Sequence, residues 1–365
     1  MKRQLLVLTD YVIGGEWIAL NRLTSAVERL FPGTKFYFLA FGMDIPYSDR
    51  SGRGGFLRGF VSDFRSGKKA IEKKTGDVGK FNYVLATNHV LLLASHFVRN
   101  LNGAKKIYYL HGLKSQSFST SNLLDHKQYF YKIIEWLALM MNDIVITVFN
   151  YSWPFSLFKK VFVVPNSVPD DYFDKIGIKK NKYNILYSGR MSSGKGLLNL
   201  VKGFHEFSKD CRQASLIFCY PKSSVDKKLL KSLLKLVARL RLGGRVLFNG
   251  NVGSSDLKKI YHSSEVTILP SEAEMAPLSV IESLACGTPV IGTATGNMPE
   301  ILKKIDSRLI LRRNTSSEIA SSLKWFFNLS DNQKARIKQR GYIASRFYGS
   351  ENSANKFVRI LESLR

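Results

Sequence analysis

The sequence predicts two α/β domains, each a doubly wound parallel sheet. Three observations carry this. Short apolar runs alternate with longer segments of helical period along the whole chain, as in successive βαβ units. The length, 365 residues, exceeds one ordinary core and suits two. The stretch 164–182 (VPNSVPDDYFDKIGIKKNK) concentrates Pro, Asn, Asp and Lys between the two series, as a linker would. These place one domain at 1–168 and another at 176–349, and a closing helix at about 350–365.

In the first series, strands are read at 4–9, 35–40, 82–86, 105–110, 143–148 and 161–164. Helices fall at about 16–31, 56–74, 88–100 and 126–141. In the second, strands at 183–188, 215–219, 245–249, 265–269 and 289–292 alternate with helices at about 195–209, 226–241, 255–262, 277–285 and 316–328. These strands are continuous Val/Ile/Leu/Phe runs, the pattern of strands covered on both faces. Leu229, Leu230, Leu233, Leu234, Val237 and Leu240 form the apolar stripe of an amphipathic core helix.

Composition removes several classes. Hydrophobic residues at 45% and charged residues at 23% are the balance of a globular chain. The apolar tracts 84–98 and 133–148 are broken by Asn88, His89, His96, Glu135, Asn142 and Asp143, short of a spanning helix. Asp10 and Glu16 interrupt the first apolar run before it reaches the length of a signal-peptide core. Cys211, Cys219 and Cys286 fit no metal or redox spacing, which points to a reducing compartment. The charge is unusual: +27 overall, +11 over 1–168 and +16 over 169–365. An excess in both halves argues for a polyanionic neighbour, an acidic membrane or nucleic acid.

Three motifs could carry chemistry. Gly14-Gly15 follows the first strand, where backbone N–H groups at a helix start can meet a phosphate. The G-x-G-x-x-G fingerprint is absent, which weighs against a nicotinamide or flavin enzyme. A plain tight turn is the bland alternative. In Gly189-Arg190-Met191-Ser192-Ser193-Gly194-Lys195-Gly196, two cations five positions apart flank a Gly/Ser turn and can converge on one anion. The order is not that of a Walker A loop. Two solvated loop charges are the bland reading.

The third motif runs from Pro270 to Ile291 as strand end, loop, helix, Gly stop and next strand. If Pro277 opens the helix, Glu282 lies one and a half turns inside it and Glu274 stays on the loop. A carboxylate among Leu278, Ile281, Leu284 and Ala285 is costly if buried alone, and a sugar hydroxyl pair would satisfy it. A structural salt bridge is the alternative.

On E-x7-E before CGTPVI, an upstream G-R-x4-K-G and an N-terminal Gly-Gly loop, the sequence resembles family 4 glycosyltransferases of GT-B fold across roughly 1–345. The resemblance implies two Rossmann-like domains facing a central cleft, the first binding the acceptor, with the C-terminal helix packing back on it. It implies that Glu282, with Pro277, Leu278 and Ser279, holds the nucleotide ribose and sugar. Glu274 would contact the donor hexose, and Arg190, Lys195, Gly14 and Gly15 the diphosphate. His111, followed by Gly112, matches the histidine that approaches the donor sugar. Met275-Ala276-Pro277 stands where the family often has Gly-Phe-Gly, which leaves the donor sugar open.

The implied function is retaining transfer of a hexose from a nucleotide-diphosphate sugar, UDP-sugar favoured, to a glycan or lipid-linked acceptor. No Asp-x-Asp pair suggests a metal site, and no other cofactor is implied. Preorganised cations suffice for the departing diphosphate, and no carboxylate nucleophile is expected. Two alternatives stand: a transferase that modifies nucleic acid, and a non-catalytic binder of nucleic acid or polysaccharide. The implied localisation is cytoplasmic, on the inner face of the membrane. For docking there, the sequence offers 53–74, with Phe56, Leu57, Phe60, Val61 and Phe64 on one helical stripe beside Arg and Lys. The same Phe residues could instead pack on the first domain.

Overall fold

The computed structural model describes residues 2–9, 15–40, 53–111, 126–150, 160–174, 176–178, 180–222 and 225–364. Side chains are described in all of these except 53–60 and 126–132. The chain divides into two units, 1–165 with 351–365, and 166–350.

In the first unit the chain runs β1 (Arg3–Thr9), α1 (Gly15–Leu30), β2 (Thr34–Ala40), α2 (Arg53–Val78), β3 (Tyr83–Ala86) and α3 (His89–Ser95). It continues through β4 (Lys105–Leu110), α4 (His126–Met141), β5 (Ile144–Thr147) and β6 (Val161–Val163). The six strands pair in parallel in the order β2-β1-β3-β4-β5-β6. Leu5, Leu6, Val7 and Leu8 are buried side by side, because helices cover both faces of the sheet. Ile71 of α2, Leu91 and Leu92 of α3, and Ile134, Ala138 and Leu139 of α4 share the core of one face. The closing helix α12 (Ser350–Ser363) packs in this unit: Phe357 meets the ring of Phe36, and Tyr83 Oη donates to the Leu361 carbonyl at 2.9 Å. Asn88 caps α3, its Oδ1 accepting from the amides of Val90 and Leu91.

The apolar stripe expected on α2 is only partly a free surface. Phe64 sits edge-on to Phe97 at 5.5 Å, and Ile71 is fully buried. From Phe64 onward this face therefore packs inward. The side chains of Phe56, Leu57 and Phe60 lie outside the described residues, whereas Val61 is exposed.

The second unit runs β7 (Asn184–Ser188), α5 (Leu197–Ser208), β8 (Ser215–Tyr220), α6 (Lys227–Arg239), β9 (Val246–Gly250), α7 (Ser254–Ser263) and β10 (Val266–Leu269). It ends with α8 (Leu278–Ala285), β11 (Val290–Thr293), α9 (Met298–Ile305), β12 (Ile310–Leu311), α10 (Ser316–Phe327) and α11 (Asp331–Arg346). Its parallel sheet has the order β12-β11-β10-β7-β8-β9. The order reverses between β7 and β10, so the loops leaving their carboxyl ends border the crevice where doubly wound sheets bind ligands. Those loops are 189–196 and 270–277.

The stretch read as a linker is packed from residue 164. Val164, Val168, Tyr172 and Phe173 are buried, and Arg346 lies over the Phe173 ring at 5.0 Å. Its polar composition reflects a 3-10 turn, Asp170–Phe173, which presents its aspartates outward and its aromatics inward.

Candidate functional site

Lys195 and Glu274 are 79 positions apart in sequence and form an ion pair, Nζ to Oε1 at 2.5 Å. Their side chains are only 13% and 14% exposed, so water screens the pair weakly. Ser271 Oγ donates to the same Glu274 oxygen at 2.8 Å. Lys195 is thus a held cation, not the solvated loop charge of the bland reading. Arg190 in the same loop is exposed, and its carbonyl accepts from Tyr187 Oη at 2.8 Å. Burial, then the nearby Glu274 charge, pushes the Tyr187 phenol well above its ordinary range, so it remains a donor.

The two loops are fastened to each other through backbone. Glu272 N–H donates to the Gly194 carbonyl at 2.8 Å. Gly196 has φ +69, and a Cβ there would lie 2.1 Å from the Pro270 carbonyl oxygen and 2.4 Å from Asn314 Nδ2. Only glycine permits that approach. On the other side, Asn297 N–H donates to the Met275 carbonyl at 2.8 Å, and Asn166 Nδ2 to the Ala276 carbonyl at 2.8 Å. The Met275-Ala276 segment is therefore clamped at successive carbonyls.

Helix α8 begins at Leu278, with Pro277 as its N-cap, as the sequence required for placing the two glutamates. The first helical amides, those of Leu278 and Ser279, have no partner within the helix. Glu282 lies inside α8, 6% exposed, and its Oε2 accepts from Tyr261 Oη at 3.0 Å. Burial, then the Glu282 charge, pushes the Tyr261 phenol well above its ordinary range, so it remains a donor to Glu282. A tyrosine hydroxyl is thus one partner of the Glu282 carboxylate.

The sequence singled out Arg190, Lys195, Glu274, Pro277, Leu278, Ser279 and Glu282, and the fold sets the first six on loops or a helix start, and Glu282 inside α8, beside the switch between β7 and β10. It did not single out Asn166, Ser271, Tyr261, Asn297 or Asn314. The Gly296-Asn297 turn before Pro299 was the available signal. Asn166 Oδ1, Thr295 Oγ1, Asn297 Oδ1 and Asn314 Oδ1 are buried without hydrogen-bond partners among the described residues, a cluster of polar atoms around the 270–277 loop.

In the first unit, Gly15 opens α1 with open space where a Cβ would stand, and Gly14 lies outside the described residues. His111 follows β4, its ring edge-on to Tyr109 at 4.7 Å. Burial pushes the imidazole down to about 3, so His111 is neutral near pH 7. Its Nε2 has no partner among the described residues.

Two doubly wound six-stranded parallel sheets with flanking helices define the GT-B fold. The solved sucrose-phosphate synthase of Thermosynechococcus elongatus superposes with a TM-score of 0.80 at 16% identity, covering 100% of this chain and 99% of that one. The Anabaena protein HepE in complex with UDP and glucose superposes with a TM-score of 0.72 at 17% identity, over 99% of this chain and 100% of that one. Likeness at these identities establishes the fold.

Residues 169–343 match the family model of glycosyl transferases group 1, so the second unit carries the domain of an enzyme family. A mannosylfructose-phosphate synthase of Agrobacterium fabrum is 30% identical over 117 residues, 31% of this chain and 26% of that protein. An uncharacterised glycosyltransferase of Methanocaldococcus jannaschii is 30% identical over 128 residues, 35% of this chain and 31% of that protein. The alignments thus span about a third or less of these curated relatives.

Proposed function

We propose that this chain is a retaining, metal-independent glycosyltransferase that moves a hexose from a nucleotide-diphosphate sugar to a glycan or lipid-linked acceptor. The observation that carries this reading is the placing of two cations and two carboxylates on two loops and helix α8 beside one switch point, within a glycosyl transferases group 1 domain. UDP-sugar is the favoured donor, supported by the UDP-bound HepE neighbour.

In this reading Glu282 takes the ribose hydroxyls, with Pro277, Leu278 and Ser279 lining the nucleotide and sugar. Arg190 and Lys195 face the diphosphate. As the anomeric C–O bond breaks, negative charge grows on the β-phosphate oxygen, and fixed cations lower the barrier because they need no reorganisation. The acceptor oxygen attacks from the same face, and its proton passes to the departing phosphate. Glu274 orients Lys195 and contacts the hexose without becoming a nucleophile. Gly14, Gly15 and neutral His111 keep the roles the resemblance implies, backbone donors to phosphate and a hydrogen-bonding group for the sugar. Charge suffices for the diphosphate here, so no metal is invoked.

The two nucleic-acid or binding-only readings rest on net charge and gain nothing from the relatives. The test is calorimetric titration of the full chain with UDP, GDP and ADP and their hexose conjugates. Saturable binding of one series, weakened at least tenfold by Glu282→Ala, is expected. Failure of every nucleotide diphosphate to bind a folded chain would overturn the proposal.

A further inference from the structure

The described side chains of helix α4, residues 133–141, are almost all apolar on the inner and the outer face alike. Its single carboxylate, Glu135, is turned inward and buried beside Ile134, Ala138 and Leu139. Its outer face carries Ile133 (54% exposed), Trp136 (47%), Leu137 (36%) and Met141 (42%). These positions, i, i+3, i+4 and i+8, form one stripe along the helix. Scattered apolar residues on a surface are ordinary, but a stripe led by Trp and Met over about two turns marks an interaction surface. In the helical layer that shares this face of the sheet, Phe97 is 56% exposed.

The charge around the stripe selects its partner. From residue 133 onward the outer face of α4 bears no acidic side chain. On α2, in the same layer, Arg65, Lys69 and Lys73 are exposed. Over its length that helix carries seven Lys and Arg against Asp63, Glu72 and Asp77. An amphipathic ring such as Trp settles at the boundary between headgroups and acyl chains, and each nearby cation is drawn to an acidic leaflet. No helix among the described residues is long and apolar enough to cross a membrane, so contact of this kind would be peripheral.

We propose that the Ile133–Met141 face of α4 docks on an anionic lipid surface, with α4 supplying the apolar anchor and α2 the charge. The stripe read from the sequence on α2 has Phe64 packed against Phe97, so the anchor moves to α4, across α3 in the same layer, and the cations stay. The proposal deepens the lipid-linked branch of the acceptor reading, yet it is measured without donor or acceptor.

The experiment is co-sedimentation of the full chain with vesicles of phosphatidylcholine alone and of phosphatidylcholine mixed with phosphatidylglycerol. Two variants are compared with wild type: Trp136→Ser with Met141→Ser, and Arg65→Ser with Lys69→Ser and Lys73→Ser. Binding to the anionic vesicles alone is expected, reduced about tenfold or more by the first pair. The second set should also lower binding and flatten its dependence on salt. UDP titration and circular dichroism on each variant separate lost docking from lost folding, and separate failure here from failure of the nucleotide reading. Vesicle binding untouched by the Trp136 and Met141 changes would overturn the proposal. So would wild type that ignores anionic vesicles but forms a dimer dissociated by those changes, since a second copy would then cover the stripe.

Discussion

Gly194→Ala and Gly196→Ala test the packing of the site, because these two glycines share a positive φ and differ in surroundings. Their φ angles are +78 and +69; a Cβ at 194 meets nothing within 4 Å, whereas one at 196 lands 2.1 Å from the Pro270 carbonyl oxygen. A left-handed non-glycine residue costs about 1–2 kcal/mol, partly offset by about 0.4–1 kcal/mol from the stiffer unfolded chain. Gly194→Ala should therefore lose about 1 kcal/mol. Gly196→Ala adds overpacking against backbone, about 1–3 kcal/mol, for a total of about 2–4 kcal/mol. At about 2–4 °C per kcal/mol for a domain of this size, its thermal midpoint should fall by about 4–16 °C, and that of Gly194→Ala by no more than about 4 °C. Because Pro270 precedes Ser271 and Glu274, the forced shift should also weaken UDP binding in Gly196→Ala and spare it in Gly194→Ala. Thermal melts and calorimetric titration read both effects. Equal losses in the two variants would refute the close approach of the loops.

Arg190→Ala and Lys195→Ala should each remove about 2–4 kcal/mol of transition-state stabilisation in kcat/KM. Only Lys195→Ala should also lower the unfolding free energy measured in urea, by about 1–3 kcal/mol, because it strands a largely buried carboxylate. Glu282→Ala should weaken free UDP, and Glu274→Ala should spare UDP and impair the sugar-bearing donor, both read by titration. Tyr261→Phe removes the 3.0 Å donor to Glu282 and should cost about 1–3 kcal/mol of stability on denaturation. His111 has a folded value of about 3, below its unfolded value near 6.5, so the folded state binds fewer protons. Its contribution is complete above pH 6.5 and is lost as pH falls towards 3, at no more than about 1.4 kcal/mol per pH unit. Unfolding of His111→Gln across that window should show a shallower acid limb.

Strands buried on both faces announce themselves as unbroken apolar runs, and the strands read from the sequence lie within a residue or two of those in the fold. What escaped was short or polar. β12 has two residues, and α9 spans eight behind a Gly-Asn turn. α11 buries only Ile337, Gly341 and Ser345, too few to set up a readable period. In the second unit, the placing of the motifs on loop and helix was legible, including the position of Glu282 within α8. The Lys195–Glu274 pair was not, since it joins loops 79 positions apart that only sheet order brings together. Nor was Asn166, whose role depends on the chain after Pro165 already being part of the second unit.

The formal charges of the site bear on the whole chain. Arg190 and Lys195 bring two positive charges and Glu274 and Glu282 two negative, so the constellation itself sums to zero within a protein of +27. Anion affinity at the site therefore comes from placement: a forked Arg190 at the surface, a Lys195 fixed by Glu274, and the amides at the start of α8 that have no partner within the helix. The net positive charge must lie elsewhere, and two of its locations are plain. α2 carries a surplus of four positive charges, and α6 holds Lys227, Lys228, Lys231, Lys235 and Arg239 with no acidic residue. A donor site that needs no surplus leaves these surfaces to be explained by a different anion. On α2 they stand in the same helical layer as the exposed Trp136 stripe, whose apolar face gives nucleic acid little to hold and an acyl boundary a great deal. Salt dependence should accordingly divide by site: steep for attachment to acidic vesicles, shallow for UDP affinity.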